Sequence, residues 1–179
     1  MSKVLVILSE LTDRDIDWLI ANGTRTTISK GTILIQEGQP LDALYIVIDG
    51  TLSVSVAALA DREISQIGCG EVLGEMSLVD ERLPSASVTA IEDSTILSIP
   101  RYLLMEKLDQ DVLFSLRFYR AITKFLSNRL RGTVNRLSDS GSGSESPEDG
   151  SNQDENKVMD GSESARAKFD SMLQRLKGT

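Results

Sequence analysis

Short runs of strand-forming residues, separated by glycine turns, fill the first half of the chain and constrain its fold more than any other feature. Within each run β-branched residues alternate with small or polar ones, which is the period of a strand with one buried face. Turn pairs such as Lys30-Gly31 and Glu37-Gly38 lie between the runs. Many short strands at this spacing predict a mainly β protein with some helix, a jelly-roll sandwich or barrel. The predicted strands are residues 26–28, 32–35, 44–48, 52–56, 64–67, 87–91 and 95–99.

Two local motifs predict where the chain starts a helix and where it turns. Thr12 followed by Asp15 three positions later is a helix start signal, and the short helix that it begins is predicted to end at Asn22-Gly23. Asp49-Gly50 falls between two strand runs, and both central residues of a tight hairpin turn favour positive φ. We therefore predict a short N-terminal helix and a β-hairpin at residues 49–50.

Helical periodicity replaces alternation after residue 100. Pro100 marks the start of a short helix at residues 102–108, and a long helix with two apolar rows is predicted at residues 112–137. One row can pack on the barrel while the other faces a second copy, so we predict a homodimer through residues 112–137. The alternative is a helix buried on its own barrel. The first row is Val112, Leu116, Tyr119, Thr123, Leu126, Leu130, Thr133 and Leu137, and the second is Phe114, Phe118, Ile122 and Phe125.

The last forty residues change composition twice. Residues 138–164 consist mainly of Ser, Gly, Asp, Glu, Asn and Gln, which predicts a disordered acidic linker after the domain at residues 1–137. Residues 165–179 regain an amphipathic helical pattern, with apolar side chains from Phe169 to Leu176 on one face. This segment could dock on its own barrel, on a partner protein or on an anionic surface, or it could be a tail without such a role.

The composition argues against several kinds of function. A net charge of −8 and a pI near 4.6 disfavour nucleic-acid binding, which draws its affinity from Lys and Arg facing phosphates. With no histidine and one cysteine, Cys69, the chain lacks the residues for a zinc site, a disulfide or a His-based triad. We predict that it is not an enzyme and uses no metal or cofactor. The apolar run at residues 4–8 is too short for a membrane span or secretion signal, which predicts a cytoplasmic protein without membrane contact.

Residues 68–90 have the composition of an anion site. Gly68, Gly70 and Gly74 suit a backbone that turns tightly and approaches a ligand closely. Where Gly74 leads into a helical turn at Glu75, free backbone N–H groups would point at a phosphate, and a nearby carboxylate could accept hydrogen bonds from sugar hydroxyls. The end of this stretch is predicted to be the strand that receives the turn.

Several separate motifs combine into a family resemblance. They are Lys30-Gly31, Glu37-Gly38, Asp42, Tyr45-Ile46-Val47, Gly50, Gly70, Gly74-Glu75-Met76-Ser77-Leu78 and Ser85-Ala86-Ser87-Val88. With them, the chain from about Leu11 to Leu137 resembles the cyclic nucleotide-binding domain family. The resemblance implies a jelly-roll barrel with a short N-terminal helix and a long C-terminal dimerisation helix, followed here by a disordered tail. It also implies that backbone N–H groups of the Gly74-Glu75 turn and of the strand after it hold the cyclic phosphate, and that Glu75 accepts a hydrogen bond from the ribose.

One position departs from the family pattern. The arginine that pairs with the cyclic phosphate in the family falls on Pro84, which has neither charge nor N–H donor. Arg82 in the same loop could compensate. Arg129 and Leu130 stand where the family reads the purine, so base recognition is not carried over. The candidate ligand-binding residues are Gly74, Glu75, Met76, Ser77, Arg82, Ser85, Ala86, Ser87, Arg129 and Arg131.

Three functions are compatible with this pattern. The domain could bind cAMP or cGMP in an altered way, bind a cyclic dinucleotide such as c-di-GMP, or serve as a dimeric scaffold without a nucleotide. Arginines on the long helix favour the dinucleotide, because guanidinium groups stack on guanine and pair with phosphate. They are Arg117, Arg120, Arg129, Arg131 and Arg136.

The predicted output is contact with another protein. Transcription factors of the family continue from the long helix into a helix-turn-helix domain, and here the acidic linker occupies that stretch, so we predict no direct DNA binding. We interpret the chain as a cytoplasmic regulator that binds c-di-GMP in preference to cAMP and contacts a partner such as a transcription factor.

Overall fold

Two four-stranded antiparallel sheets form the β-sandwich of this protein. The computed structural model describes the backbone of residues 4–141 and 159–177, and within them the side chains of residues 7–135 and 163–176. The strand orders are β1-β8-β3-β6 and β2-β7-β4-β5, which confirms the predicted fold class. The strands are β1 Thr24–Ile28, β2 Ile33–Ile35, β3 Ala43–Asp49, β4 Leu52–Val56, β5 Arg62–Ile67, β6 Val72–Leu73, β7 Ser87–Ala90 and β8 Ser94–Pro100.

The strand predictions are confirmed with bounds that shift by up to two residues. Side chains alternate between two apolar clusters along β3, where Leu44, Ile46 and Ile48 join the cluster shared with the helices and Val47 joins the cluster between the two sheets. The sequence missed β6, because two residues are too few to show a period. β6 pairs with β3 through Tyr45 and Ile46.

The predicted hairpin at Asp49-Gly50 is wrong. β3 pairs with β8 and β6 in one sheet, whereas β4 pairs with β5 and β7 in the other, so the turn carries the chain from sheet to sheet. Gly50 has a φ of 93°, and a Cβ added to it would overlap the side chain of Ser94. Glycine is thus needed for a close crossing of β8, and long-range strand pairing decided which strands became neighbours.

Six α-helices flank the sandwich in the described ranges. The predicted helix start at Thr12 is confirmed and takes the form of a capping box, because the backbone N–H of Asp15 donates to Oγ1 of Thr12 at 3.3 Å and that of Thr12 donates to Oδ2 of Asp15 at 2.8 Å. Arg117 reaches the same carboxylate with Nε at 2.7 Å and Nη2 at 2.9 Å. The helices are α1 Val4–Glu10, α2 Asp13–Asn22, α3 Glu75–Asp80, α4 Arg101–Gln110, α5 Val112–Gly141 and α6 Met159–Lys177.

The long helix α5 buries one of its two apolar rows against its own domain. Phe114, Phe118, Ile122 and Phe125 are at most 2% exposed and belong to the core cluster of α1, α2 and the sandwich. The other row is largely open to solvent, with Leu116 and Leu130 both 65% exposed. The prediction that one row packs on the barrel is confirmed, and pairing through the other row stays a prediction.

The C-terminal region is more helical than predicted. α5 continues to Gly141 and α6 begins at Met159, so both ends of the predicted 138–164 linker, residues 138–141 and 159–164, are helical and the predicted disorder is wrong there. Residues 142–158 lie outside the described residues. Gly132 does not end α5, and a Cβ at Gly132 would meet nothing within 4 Å. α6 docks on α1 and α2, which is one of the arrangements left open by the sequence. None of the helices in the described parts is long and apolar enough to cross a membrane.

Candidate functional site

A cavity of about 370 Å³ opens between the β2-β7-β4-β5 sheet, α3 and the loop that follows α3. Its size falls in the range of small-ligand sites. Aliphatic side chains from the inner face of the sheet form one wall, and the polar groups gather along α3 and at α5. The lining residues include Ile35, Leu41, Val54, Val56, Ile64, Leu73, Glu75, Asp80, Arg82, Pro84, Ser85 and Arg129.

Gly74 positions the helix α3 at the edge of this cavity. Its φ of 86° is in the left-handed region, and a Cβ placed on it would lie 2.6 Å from Cδ2 of Leu41 and 3.1 Å from the carbonyl oxygen of Ala43. A side chain here would therefore be both strained and obstructed. The predicted Gly-Glu turn into a helix is confirmed, and it directs Glu75, the first residue of α3, inwards.

Glu75 and Arg129 join α3 to the long helix across the cavity. Oε1 of Glu75 accepts a hydrogen bond from Nη1 of Arg129 at 2.9 Å, and the side chains are 3% and 29% exposed. Burial raises the pKa of Glu75, and the guanidinium beside it offsets part of that rise. Because the pair links two elements far apart in sequence, any ligand that competes for this carboxylate acts directly on α5.

Arg101 makes a second contact with α3. Nη1 of Arg101 donates to the carbonyl oxygen of Ser77 at 3.0 Å, while its own backbone N–H donates to Asp42 at 2.8 Å. Helix α3 is thereby tied to the start of α4 as well as to α5. Arg101 is not among the residues predicted from the sequence, because a lone arginine after Pro100 resembles any surface residue of a first helical turn.

The loop after α3 has little positive charge. Pro84 lines the cavity without a side-chain donor, and its carbonyl accepts from Gly38 at 2.9 Å. Arg82 has an 85% exposed side chain that lies 4.0 Å from Asp80, an acidic neighbour that also lines the cavity. Within the described residues no hydrogen bond is made by the backbone N–H groups of Ser85 and Ala86, so both remain available to a ligand.

The structure brings most of the predicted site residues together. Gly74, Glu75, Met76, Ser77, Arg82, Ser85, Ala86 and Arg129 all line the cavity. Ser87 does not, because its Oγ accepts from the backbone N–H of Glu37 at 3.0 Å on the side of the β2–β3 loop. Arg131 is also outside the lining, two residues beyond Arg129 on α5 and exposed.

The helix arginines that suggested a dinucleotide surface are mostly paired within the chain. Arg117 binds Asp15, Arg120 lies 3.0 Å from Glu10, and Arg129 binds Glu75. The side chain of Arg136 is outside the described residues. An arginine held by a carboxylate is less able to stack on a base, so these contacts weaken the case for a ligand along α5.

The sequence missed the apolar half of the site and Asp80. Ile35, Val54 and Val88 are inward residues of separate strands, and which strands face one cavity is decided by pairing between distant segments. Asp80 ends α3 within the glycine-rich stretch of residues 68–90, and its place in that stretch is the sequence signal that points to it.

Comparison with known proteins agrees with this geometry. The family model of the cyclic nucleotide-binding domain matches residues 25–111. The cyclic AMP receptor protein of Thermus thermophilus is 32% identical over 93 residues, which are 51% of this chain and 43% of that protein. The chain thus spans less than half the length of this curated relative.

Two solved structures extend the likeness. A cyclic nucleotide-binding domain from Methylobacillus flagellatus superposes with a TM-score of 0.69 at 21% identity, over 79% of this chain and 84% of that one, which shows the shared fold. The c-di-GMP responsive global regulator CLP of Xanthomonas campestris superposes with a TM-score of 0.62 at 25% identity, over 71% of this chain and 63% of that one.

Proposed function

Residues 25–111 form a domain of the cyclic nucleotide-binding family, and on this premise we propose that the chain is a non-enzymatic signalling regulator. Its ligand is a cyclic nucleotide held in the cavity beside Glu75. The observation that carries the proposal is the Glu75–Arg129 ion pair at 2.9 Å, because it connects the cavity with α5. A ligand bound there changes the surroundings of Arg129 on the longest helix. A regulator needs such a link between its ligand and a second element of the structure.

The polar groups of the cavity suit a ribose and a phosphate, although the cavity lacks the arginine at position 84 that would pair with the phosphate. The carboxylate of Glu75 is an acceptor for ribose hydroxyls, and the backbone N–H groups of Ser85 and Ala86 are donors for phosphate oxygens. Arg82 lies in the loop and could turn from Asp80 towards an anion. Without a bidentate arginine at position 84, we expect weaker phosphate binding than a charge-assisted site gives.

A cyclic mononucleotide fits the cavity better than a dinucleotide. The space of about 370 Å³ lies in the lower part of the range for ligand sites, and a cyclic dinucleotide carries two bases, two riboses and two phosphates. Only half of such a ligand would enter, and the rest would lie against the mouth of the cavity. We therefore place cAMP or cGMP first for the cavity, which reverses the order favoured by the sequence.

A cyclic dinucleotide remains the second candidate for a specific reason. The c-di-GMP responsive regulator CLP is among the similar solved structures, at 25% identity. Here c-di-GMP would extend from the cavity mouth towards Arg131, an exposed arginine on α5. A scaffold without a nucleotide is the remaining alternative, and the altered position 84 is what favours it.

The output that we propose is a contact made by α5. Its exposed apolar row would pair with a second copy, and the dimer would present a surface to a partner such as a transcription factor rather than bind DNA. Ligand binding at Glu75 would shift α5 between two arrangements with different partner affinity.

Calorimetry with cAMP, cGMP and c-di-GMP tests this function on the full chain. We expect saturable binding of a mononucleotide to the unmodified protein and at least tenfold weaker binding to Glu75→Gln, which loses the charged acceptor. Glu63→Gln, an exposed change on β5, is the control and keeps the affinity. If none of the three nucleotides binds, the scaffold function replaces the regulator. If c-di-GMP alone binds, the dinucleotide becomes the ligand.

A further inference from the structure

The C-terminal helix α6 is fastened to the two N-terminal helices by an apolar row. Ala165 and Met172 are fully buried, and Phe169 and Leu176 are 8% and 7% exposed. Phe169, Met172 and Leu176 share one cluster with residues of α1 and α2. The four buried residues from Ala165 to Leu176 are spaced four, three and four positions apart, which forms a continuous stripe along a helix. α6 therefore offers one narrow apolar face to one surface.

Polar contacts fix the register of α6 along that stripe. Nζ of Lys168 donates at 2.8 Å to the carbonyl oxygen of Leu11, just beyond the end of α1. Nη1 of Arg25 on β1 donates at 2.8 Å to the carbonyl oxygen of Leu176, near the end of α6. Each basic side chain thus satisfies a carbonyl at the end of a helix, and α6 cannot slide by a turn without losing both contacts.

α1 depends on its neighbours for stability. It has seven residues, fewer than an isolated helix needs in water. α6 lies against α1, and α1 also lies against α5, where Glu10 pairs with Arg120 and Lys124. If α6 detaches, α1 loses the lysine at its C-terminal end and part of its apolar cover.

We propose that the surface of α1 and α2 is a helix-receiving site, occupied by α6 of the same chain and open to α6 of a second copy when the first is released. The apolar stripe and the Lys168 contact identify the occupant, because another helix would need the same spacing of apolar residues and a basic side chain at the same place. In the single chain α6 has the advantage of being tethered, which raises its effective concentration at the site. An exchanged α6 would join two copies through residues far from the exposed row of α5.

The test uses two alanines of α6 that differ in burial. Ala165 is fully buried and Ala167 is exposed, so Ala165→Asp and Ala167→Asp change charge and helix propensity equally. Hydrogen exchange of the full chain should show at least tenfold faster exchange in α1 and α6 for Ala165→Asp, with β3 and β8 as slow as before. Ala167→Asp should match the unmodified protein.

Either of two results would overturn the proposal that α6 of the same chain occupies a helix-receiving site on α1 and α2. Unchanged protection of α1 in Ala165→Asp would mean that α6 does not hold it. Loss of protection in β3 and β8 as well would mean that α6 supports the whole domain and is not an exchangeable occupant. A milder variant, Lys168→Ala, should speed exchange in α1 several-fold, whereas Arg166→Ala, an exposed change two positions away, should not.

Occupation by a second copy is tested with a synthetic peptide of residues 159–179 carrying a fluorescent label. Its anisotropy should rise with the Ala165→Asp chain, and binding to the unmodified chain should be at least tenfold weaker because the tethered helix competes. The same peptide with Ala165→Asp should not bind. Equal binding of both peptides, or none, would contradict a helix-receiving site.

Discussion

Nη1 of Arg129 lies 2.9 Å from Oε1 of Glu75, and this ion pair crosses from the helix at the edge of the cavity to the long helix. The carboxylate is buried, so the pair is costly to break from one side: removal of the arginine leaves a buried charge without its partner. The same pair would be disturbed by a ribose that competes for Glu75. Stability and ligand response are therefore expected to change together at these two residues.

Arg129→Ala should destabilise the protein, whereas Arg131→Ala should not. The first change leaves Glu75 unpaired and should lower the free energy of unfolding by about 3 kcal/mol. The second removes an exposed arginine two positions along α5 and should stay within about 0.5 kcal/mol. Urea denaturation followed by circular dichroism measures both.

The same two variants separate the ligand candidates. A mononucleotide whose ribose competes with Arg129 for Glu75 should bind more tightly to Arg129→Ala, because the ion pair no longer has to be broken, and equally to Arg131→Ala. c-di-GMP lying along α5 should instead lose affinity with Arg131→Ala. Equal binding of every nucleotide to all three proteins would contradict both sites.

Pro84→Arg should strengthen the binding of cAMP. A guanidinium at this place would add a charge-assisted contact to the cyclic phosphate, and we expect at least a tenfold gain in affinity by calorimetry. Pro84→Ala is the control, because it restores the backbone N–H without adding charge. A gain from Pro84→Ala alone would assign the effect to the backbone. No gain from Pro84→Arg would show that the cavity no longer accepts a cyclic phosphate there.

Gly74→Ala should cost more stability than Gly38→Ala. Both glycines have positive φ, 86° and 73°, but only at Gly74 would a Cβ collide with Leu41. We expect a loss of about 1 kcal/mol for the strain at Gly38, and a loss at least about 1 kcal/mol larger at Gly74. Thermal unfolding of the two variants gives the comparison. Equal losses would mean that Leu41 moves aside freely.

Asp15 should make the protein sensitive to acid. Burial opposes its ionisation, but the hydrogen bonds from Arg117 and Thr12 outweigh that effect, and the pKa of Asp15 lies below its ordinary value. A carboxyl with a lowered folded pKa contributes stability above its unfolded pKa of about 3.9, and the contribution is lost as the pH falls through the folded value.

The measurement is the free energy of unfolding between about pH 5 and pH 2. The free energy of unfolding should fall less steeply with acid in Asp15→Asn than in the unmodified protein. The Asp15→Asn variant should also be less stable than the unmodified protein at pH 7. Asp13→Asn, an exposed change in the same first turn of α2, should keep the unmodified slope. Parallel curves for all three proteins would exclude Asp15 as the source.

Leu116→Asp should shift the protein from dimer to monomer if α5 pairs with a second copy. A charge in the middle of the exposed row opposes burial of that row. Tyr102→Asp is the control, because Tyr102 is 71% exposed on α4 and outside the row, whereas Leu116 is 65% exposed within it. Analytical ultracentrifugation measures the mass. A monomeric unmodified protein would contradict the dimer directly.

Local chemistry in the sequence was enough for much of the framework. Thr12 and Asp15 predicted the start of α2 because both residues lie within one turn. Gly74 and Glu75 predicted a glycine turn into a helix for the same reason, since conformation and hydrogen bonding there involve neighbouring residues. Alternation predicted the strands.

Long-range pairing accounts for what the sequence could not give. The Asp49-Gly50 turn looked like a hairpin, and only the pairing of β3 with β8 made it a crossover. The helix arginines looked like a free basic surface until folding brought Asp15, Glu10 and Glu75 against them. Periodicity cannot reveal a partner that lies a hundred positions away.

The sequence by itself determined the β-sandwich with its long helix and the glycine turn at Gly74 that leads into Glu75. These features follow from side-chain period and backbone conformation over short stretches. Only the tertiary structure decided that Arg129 would face Glu75 and that α6 would cover α1 and α2. Both contacts depend on how separate elements come together in space, and burial of a shared apolar surface, not local preference, sets that arrangement.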